Sequence, residues 1–169
     1  MKHLRETIVA DIMMVKVARW LRLMGIKVSD AKYIDDTDIL NYVKKYKHPV
    51  LLTSDVEFSR RADKVGINAI CVPAKLEFQD QVAYVIKRLD YKLDKNKIGT
   101  LCTKCAHRLQ ILNKSELKDL KNYNIPNNSY NSYSKFYYCK YCKKVYWHGS
   151  HWNHIIESIK LIEKKAYKK

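Results

Sequence analysis

Short apolar runs alternate with amphipathic stretches through the first half of the chain. Ile8-Val9-Ala10 reads as a buried strand ending at Asp11. Over 12–24 the period becomes helical: Met13, Met14, Val17, Trp20, Leu21 and Met24 share one face, with Lys16, Arg19 and Arg22 outside it, and Gly25 supplies the stop. A second strand is expected over 26–28, then a loop carrying Asp35, Asp36 and Asp38. A helix over 37–47 follows, ended by His48-Pro49. Val50-Leu51-Leu52 is a strand of the fully buried kind, and Ser54-Asp55-Val56-Glu57 matches a capping box opening the next helix. A fourth strand over 67–72 closes at Pro73, and Phe78, Val82, Val85, Ile86 and Leu89 form one stripe of a helix over 76–89. Strands alternating with helices of this size predict an α/β fold on a mainly parallel sheet with right-handed crossovers.

The pattern then changes. Residues 91–100 are polar and lysine-rich, as in a linker, and 124–134 is an Asn/Ser/Tyr-rich loop. From His151 onward Trp152, Ile155, Ile156, Ile159 and Ile162 return to helical spacing before a tail with Lys164, Lys165, Lys168 and Lys169. Two units are expected, 1–93 and 94–169, the second joining the cysteine-bearing segment to a basic C-terminal helix. There is no internal repeat. No uncharged apolar run of about 18 residues exists, so no membrane span is expected. The opening Met1-Lys2-His3-Leu4-Arg5-Glu6 does not read as a signal peptide, which points to the cytoplasm.

Charge adds a class of partner. The 169 residues carry a formal charge of +16, a surplus of six over 1–98 and of ten over 99–169. Four thiolates on one Zn²⁺ would take about two from the latter. Such a surplus favours a polyanion, most simply nucleic acid, through phosphate contacts and counterion release. A solvated lysine-rich surface would carry the same charge.

The strongest chemical signal is Cys102/Cys105 and Cys139/Cys142, two Cys-x-x-Cys pairs with 33 residues between them. Each pair aims two thiolates from a tight turn, and four complete a tetrahedral shell with no open position, so the zinc is structural. A disulfide framework does not fit a cytoplasmic chain. Cys71, in an apolar run, is expected to be a core thiol. With four cysteines present, His107, His148, His151 and His154 are not needed as ligands. Tyr137, Tyr138, Tyr141, Tyr146 and Trp147 offer either base-stacking surfaces or the core of a small zinc domain.

The aspartates are the second signal. Asp11 and Asp55 fall just past strand ends, and Asp35 and Asp36 in the loop before a helix, where the carboxyl edge of a parallel sheet forms sites. Hard oxygen ligands there suit Mg²⁺ or Mn²⁺, which activates water and neutralises charge in phosphodiester hydrolysis. Asp11, Asp36 and Asp55 also stand where helix N-caps stand, and spacing alone weighs the two roles evenly. Lys16 and Arg19, following Asp11 by about one and two helical turns, can face a phosphate above the same edge.

Together these residues spell a resemblance. Ile8-Val9-Ala10-Asp11, the run Lys16-Val17-Ala18-Arg19-Trp20-Leu21-Arg22-Leu23-Met24-Gly25, Leu51-Leu52-Thr53-Ser54-Asp55 and Asp35-Asp36-Thr37-Asp38 resemble the PIN-like RNase domain found at the C-terminus of Mut-seven-type exonucleases. Cys102-Thr103-Lys104-Cys105, Cys139-Lys140-Tyr141-Cys142 and Tyr146-Trp147-His148-Gly149-Ser150-His151 resemble its appended zinc ribbon. The resemblance implies a three-layer α/β/α fold and a Mg²⁺- or Mn²⁺-dependent endoribonuclease acting on structured RNA. It implies that Asp11, Asp36 and Asp55, with Asp35 or Asp38, form the acidic site, and that Lys16 and Arg19 contact the phosphate. Arg22, Trp147 and His151 are expected to help hold RNA. Val15 departs from the glycine usual before the lysine, and only Glu57 and Asp63 are local candidates for a further acidic residue after the third strand. The rival readings are a non-catalytic RNA- or ribosome-binding module, whose aspartates only cap helices, a toxin-type nuclease with a dedicated inhibitor, and a DNA-directed nuclease.

Overall fold

The computed structural model describes residues 7–117 and 125–167. The opening hexapeptide, Asn124 and the last two lysines of the tail lie outside the described residues. Four strands, β1 (Thr7–Ala10), β2 (Val28–Asp30), β3 (Pro49–Thr53) and β4 (Asn68–Cys71), form a parallel sheet in the order β2-β1-β3-β4. Both faces are covered, which explains why the strands read as continuous apolar runs rather than alternating ones. Ile8, Ala10, Val50 and Leu52 point to one face and are buried with residues of α1 (Val15–Leu23), α4 (Phe78–Arg88) and α6 (His151–Tyr167). Val9 and Leu51 point to the other, against α2 (Asp36–Val43) and α3 (Val56–Lys64). The fold is therefore a three-layer α/β/α sandwich, as the family resemblance implied.

Several boundaries move for identifiable reasons. The expected strand at 26–28 begins only at Val28, because Gly25 and Ile26 finish α1. Gly25 takes a φ of 86° and its amide donates to Arg22, while the Ile26 amide donates to Leu21, a Schellman closure. A side chain at Gly25 would also collide with Lys97. Ile67 closes α3 in the same way onto Ala62, so β4 starts one residue late. The helix expected over 12–24 opens as a 3-10 turn, Ile12–Met14, leaving Met13 62% exposed instead of on the buried face. The expected capping box is not made: Asp55 rather than Ser54 caps α3, and Glu57 pairs with Arg60 at 3.6 Å. Likewise Asp35, not Asp36, caps α2, which stops at Val43. Cys71 ends β4 half-buried, not enclosed.

The cysteine-bearing segment forms a three-stranded antiparallel sheet, β5 (Gln110–Asn113), β6 (Lys135–Cys139) and β7 (Lys144–Tyr146). Part of the loop expected over 124–134 is a short helix, α5 (Asn127–Ser132). The segment 91–100 is not a free linker, since it contains a 3-10 turn, Lys95–Lys97, and the Gly99 amide donates to the Leu23 carbonyl at 2.8 Å. Helix α6 returns to α4, contributing Ile159, Ile162 and Ala166 to the sheet's core and an ion pair from Lys165 to Asp80 at 2.7 Å. Helix α6 thus packs against the α4 side of the parallel sheet.

Arg22 requires the largest correction. Placed outside the apolar face and expected to hold RNA, it is 1% exposed. Its guanidinium donates to the Val28 carbonyl at 2.7 Å, to the Thr103 and Lys104 carbonyls at 2.9 and 3.2 Å, and pairs with Asp30 at 2.5 Å. Four of its five planar donors are taken up in joining helix, strand and first cysteine turn, and its burial withdraws the side chain from a phosphate at the surface.

Candidate active site and metal centre

Because β1, β2 and β3 are parallel neighbours, their carboxyl ends share one edge, about 4.8 Å from strand to strand. Asp30 ends β2, Asp11 follows β1 and Asp55 follows β3. Asp11 is 4% exposed, its carboxylate accepting from the Met14 amide at 3.0 Å. Burial raises its pKa, the Thr53 hydroxyl and the Met14 and Met13 amides oppose that, and the nearby charge of Asp36 adds to it. Thr53 connects this carboxylate to the Asp55 backbone, because its oxygen also accepts the Asp55 amide at 3.0 Å. Asp55 in turn caps α3 by accepting the Phe58 amide at 2.9 Å. Asp35 accepts the Thr37 and Asp38 amides at 2.8 and 3.2 Å. Arg61, on α3, ties down Asp36 at 2.9 Å and Thr37 at 3.1 Å.

The structure thus brings Asp11 within electrostatic reach of Asp36 and bridges it to the Asp55 backbone. It adds Asp30, which lines one small pocket with Asp11. Asp30 and Arg61 escaped the sequence reading. The register of β2, shifted two residues by the Gly25 closure, was the signal for Asp30; Arg61 had none, since its partner is 25 residues away. Of the expected basic residues, Lys16 is exposed but rests its ammonium on the Phe78 ring, 4.2 Å from the centroid. Arg19 is exposed one turn further along α1. Trp147 is half-buried, and His151 is exposed at the start of α6.

The second site is compact. Among the described residues, Cys102, Cys105, Cys139 and Cys142 are the one group of three or more potential ligands whose atoms all lie within 4.8 Å of one another. Four soft donors at that separation fit Zn²⁺, whose bonds to sulfur of about 2.3 Å set sulfurs about 3.8 Å apart in a tetrahedron. The two turns are built alike: the residue after each pair, Ala106 and Lys143, is left-handed, with φ of 62° and 52°. Burial opposes ionisation of Cys102, yet the Tyr146 hydroxyl at 3.2 Å and the amides of Cys105 and Lys104 hold its thiol down at about 7. Burial pushes Cys105 and Cys142 up. His107 places Nδ1 3.3 Å from the Cys105 sulfur, stacked on Tyr141, a supporting contact of the kind that orients ligands. His148 is sandwiched between Tyr137 and Trp152, at 4.6 and 3.6 Å, fastening the ribbon to α6. Burial and the neighbouring His151 lower its pKa.

The carboxylate edge passes a different test. No three of its carboxylates converge as the thiolates do, but Mg²⁺ and Mn²⁺ keep several waters and are commonly held by one or two carboxylates with substrate phosphates. Asp11 and Asp36, with Asp30 and Asp55 on the same edge, supply donors of that hardness and number.

The fold is a parallel three-layer α/β/α sheet with acidic residues along its carboxyl edge and, beside it, a four-cysteine centre compatible with a zinc ribbon. Residues 6–159 match the family described as the Mut7-C RNAse domain, and the chain belongs to that family. No curated protein and no solved structure matches it. Among the described residues no helix is long and apolar enough to cross a membrane.

Proposed function

We propose that the protein is a Mg²⁺- or Mn²⁺-dependent endoribonuclease. The observation that carries this reading is Asp11, a buried carboxylate at the carboxyl edge of a parallel sheet in a chain of an RNase family, within electrostatic reach of a second carboxylate, Asp36. When bound, Mg²⁺ or Mn²⁺ supplies an activated water and neutralises charge on the scissile phosphate. The residues prepare that chemistry. Asp11, Asp36 and Asp55 are the ligands, with Asp35 a contributor through the oxygen its cap does not use. Thr53 and the Met14 amide fix Asp11 in one rotamer, and Arg61 fixes Asp36. Lys16 and Arg19 steady the phosphate through the in-line transition state, Lys16 leaving Phe78 to do so. The zinc ribbon, through Trp147, His151 and its lysines, holds the RNA.

One observation favours a second reading, a non-catalytic RNA-binding module: Asp11, Asp35 and Asp55 all have complete roles as helix caps. A 5′-labelled RNA incubated with EDTA, Mg²⁺ or Mn²⁺ separates the two. The enzyme gives internal cuts only with metal. Salt-sensitive binding without cutting under any of the three conditions favours the module.

A further inference from the structure

Beside the acidic edge, between the ends of β1 and β2, lies a pocket of about 110 Å³ lined by Ala10, Asp11, Ile12, Asp30, Tyr33 and Ile34. Its walls are unlike. Asp11 and Asp30 bring carboxylates to it, and Ile12, Tyr33 and Ile34 bring apolar surface, exposed to 66%, 44% and 84%. Large apolar side chains gathered this openly around one cleft mark a binding surface on a folded protein. The fold does not require them there: Ile12 opens a 3-10 turn, and Ile34 precedes the α2 cap.

Tyr33 is braced rather than loose. Its ring meets Tyr42 edge-on at 5.8 Å, Tyr42 meets Tyr46 at 5.4 Å, and the last two share a hydroxyl hydrogen bond of 2.6 Å. Lys32, also at the pocket, holds its ammonium 5.4 Å above the Tyr42 ring. An open aromatic face with a cation beside it is how single-stranded nucleic acid is gripped, base on ring and phosphate near charge. At about 110 Å³ the pocket is on the scale of one planar ring and not of a paired helix. Strong positive charge on the chain favours a polyanion over an apolar protein partner.

Building on the ribonuclease reading, we infer that this pocket is a base subsite. It takes one unpaired nucleobase, stacked on Tyr33 and flanked by Ile12 and Ile34, beside the phosphate presented to Asp11. The substrate class is then RNA with unpaired nucleotides at the cut, in loops, bulges or single strands.

The test is affinity in EDTA, which needs no cleavage. Fluorescence anisotropy compares labelled oligouridine with an abasic ribose–phosphate strand of equal length. Tyr33→Ala should bind oligouridine about tenfold more weakly, the abasic strand as well as wild type does, and Tyr33→Phe should retain affinity. Ile34→Ser, a second exposed site, should show a smaller loss of the same selectivity, so the result does not hang on the folding of one variant. Equal binding by wild type and both disruptive variants, or equal losses on both strands, would overturn the subsite. So would unchanged RNA binding together with loss of a dimer in light scattering, which would make the rim a protein interface. Absence of metal-dependent cutting with base-selective binding intact would count against the nuclease reading alone.

Discussion

The sheet unit and the zinc ribbon reach stability by different routes. The sheet encloses two apolar layers, one of them sealed by α6, and its helix ends are closed by aspartates and a glycine turn. Among the described residues of the ribbon, the fully buried positions are Cys102, Ala106, Leu117, Phe136 and Cys139, too few for an apolar core. Units this small generally need a metal. The lesson is one of dependence: the sheet brings its own core, while the ribbon relies on its four-cysteine centre and on what it touches.

Removing the metal should therefore break the comparison most. Structural zinc contributes about 10–16 kcal/mol of apparent binding energy in small domains. Chelation or Cys102→Ser should abolish amide protection in β5–β7 while leaving β1–β4 protected, as hydrogen exchange can read. Collapse of both together would show that the sheet does not stand alone.

Arg22 comes next, because it belongs to both regions. Arg22→Met leaves Asp30 and the carbonyls of Val28, Thr103 and Lys104 without their donor; with Asp30 37% exposed the cost falls below the fully buried case, to about 2–3 kcal/mol. Urea unfolding should show a loss of that size; a loss under about 1 kcal/mol would mean the ribbon docks by other contacts.

Asp11 carries a sign that separates function from stability. Burial raises its folded pKa above the ordinary 3.8, so the native state holds a proton that the unfolded chain has released. The stabilisation is complete below 3.8 and is lost as pH rises through the folded value, leaving a buried charge as a cost at neutral pH. Asp11→Asn keeps an oxygen for the Met14 amide, so in EDTA it should melt higher than wild type at pH 7, the gap closing in acid. Asp55→Ala is the smallest effect, about 1 kcal/mol for one lost cap.

What the sequence conceals follows from the same physics. The sheet was legible because burial on both faces writes apolar runs of strand length, and the cysteine centre because its ligands come in local pairs. Arg22 was misread because a helical wheel sees one residue's side of a contact: what buries it is a carbonyl pair some eighty positions onward. Asp30 was missed because a Schellman closure, a matter of one positive φ at Gly25, moved the strand register by two. Asp11, Asp35 and Asp55 were singled out by position, and the structure gives each a capping role, so pattern alone does not divide capping from catalysis.

The central claim, that the sheet edge performs the chemistry and the rest of the chain holds the RNA, is tested most directly by Asp11→Asn. Single-turnover cleavage of a labelled RNA in Mn²⁺ should be measured beside its affinity in EDTA. The account predicts affinity within about twofold of wild type and a rate at least about 100-fold lower, since even groups one step removed from a metal commonly cost 10–100-fold. Cleavage at the wild-type rate would contradict it, and would return Asp11 to the role of a helix cap.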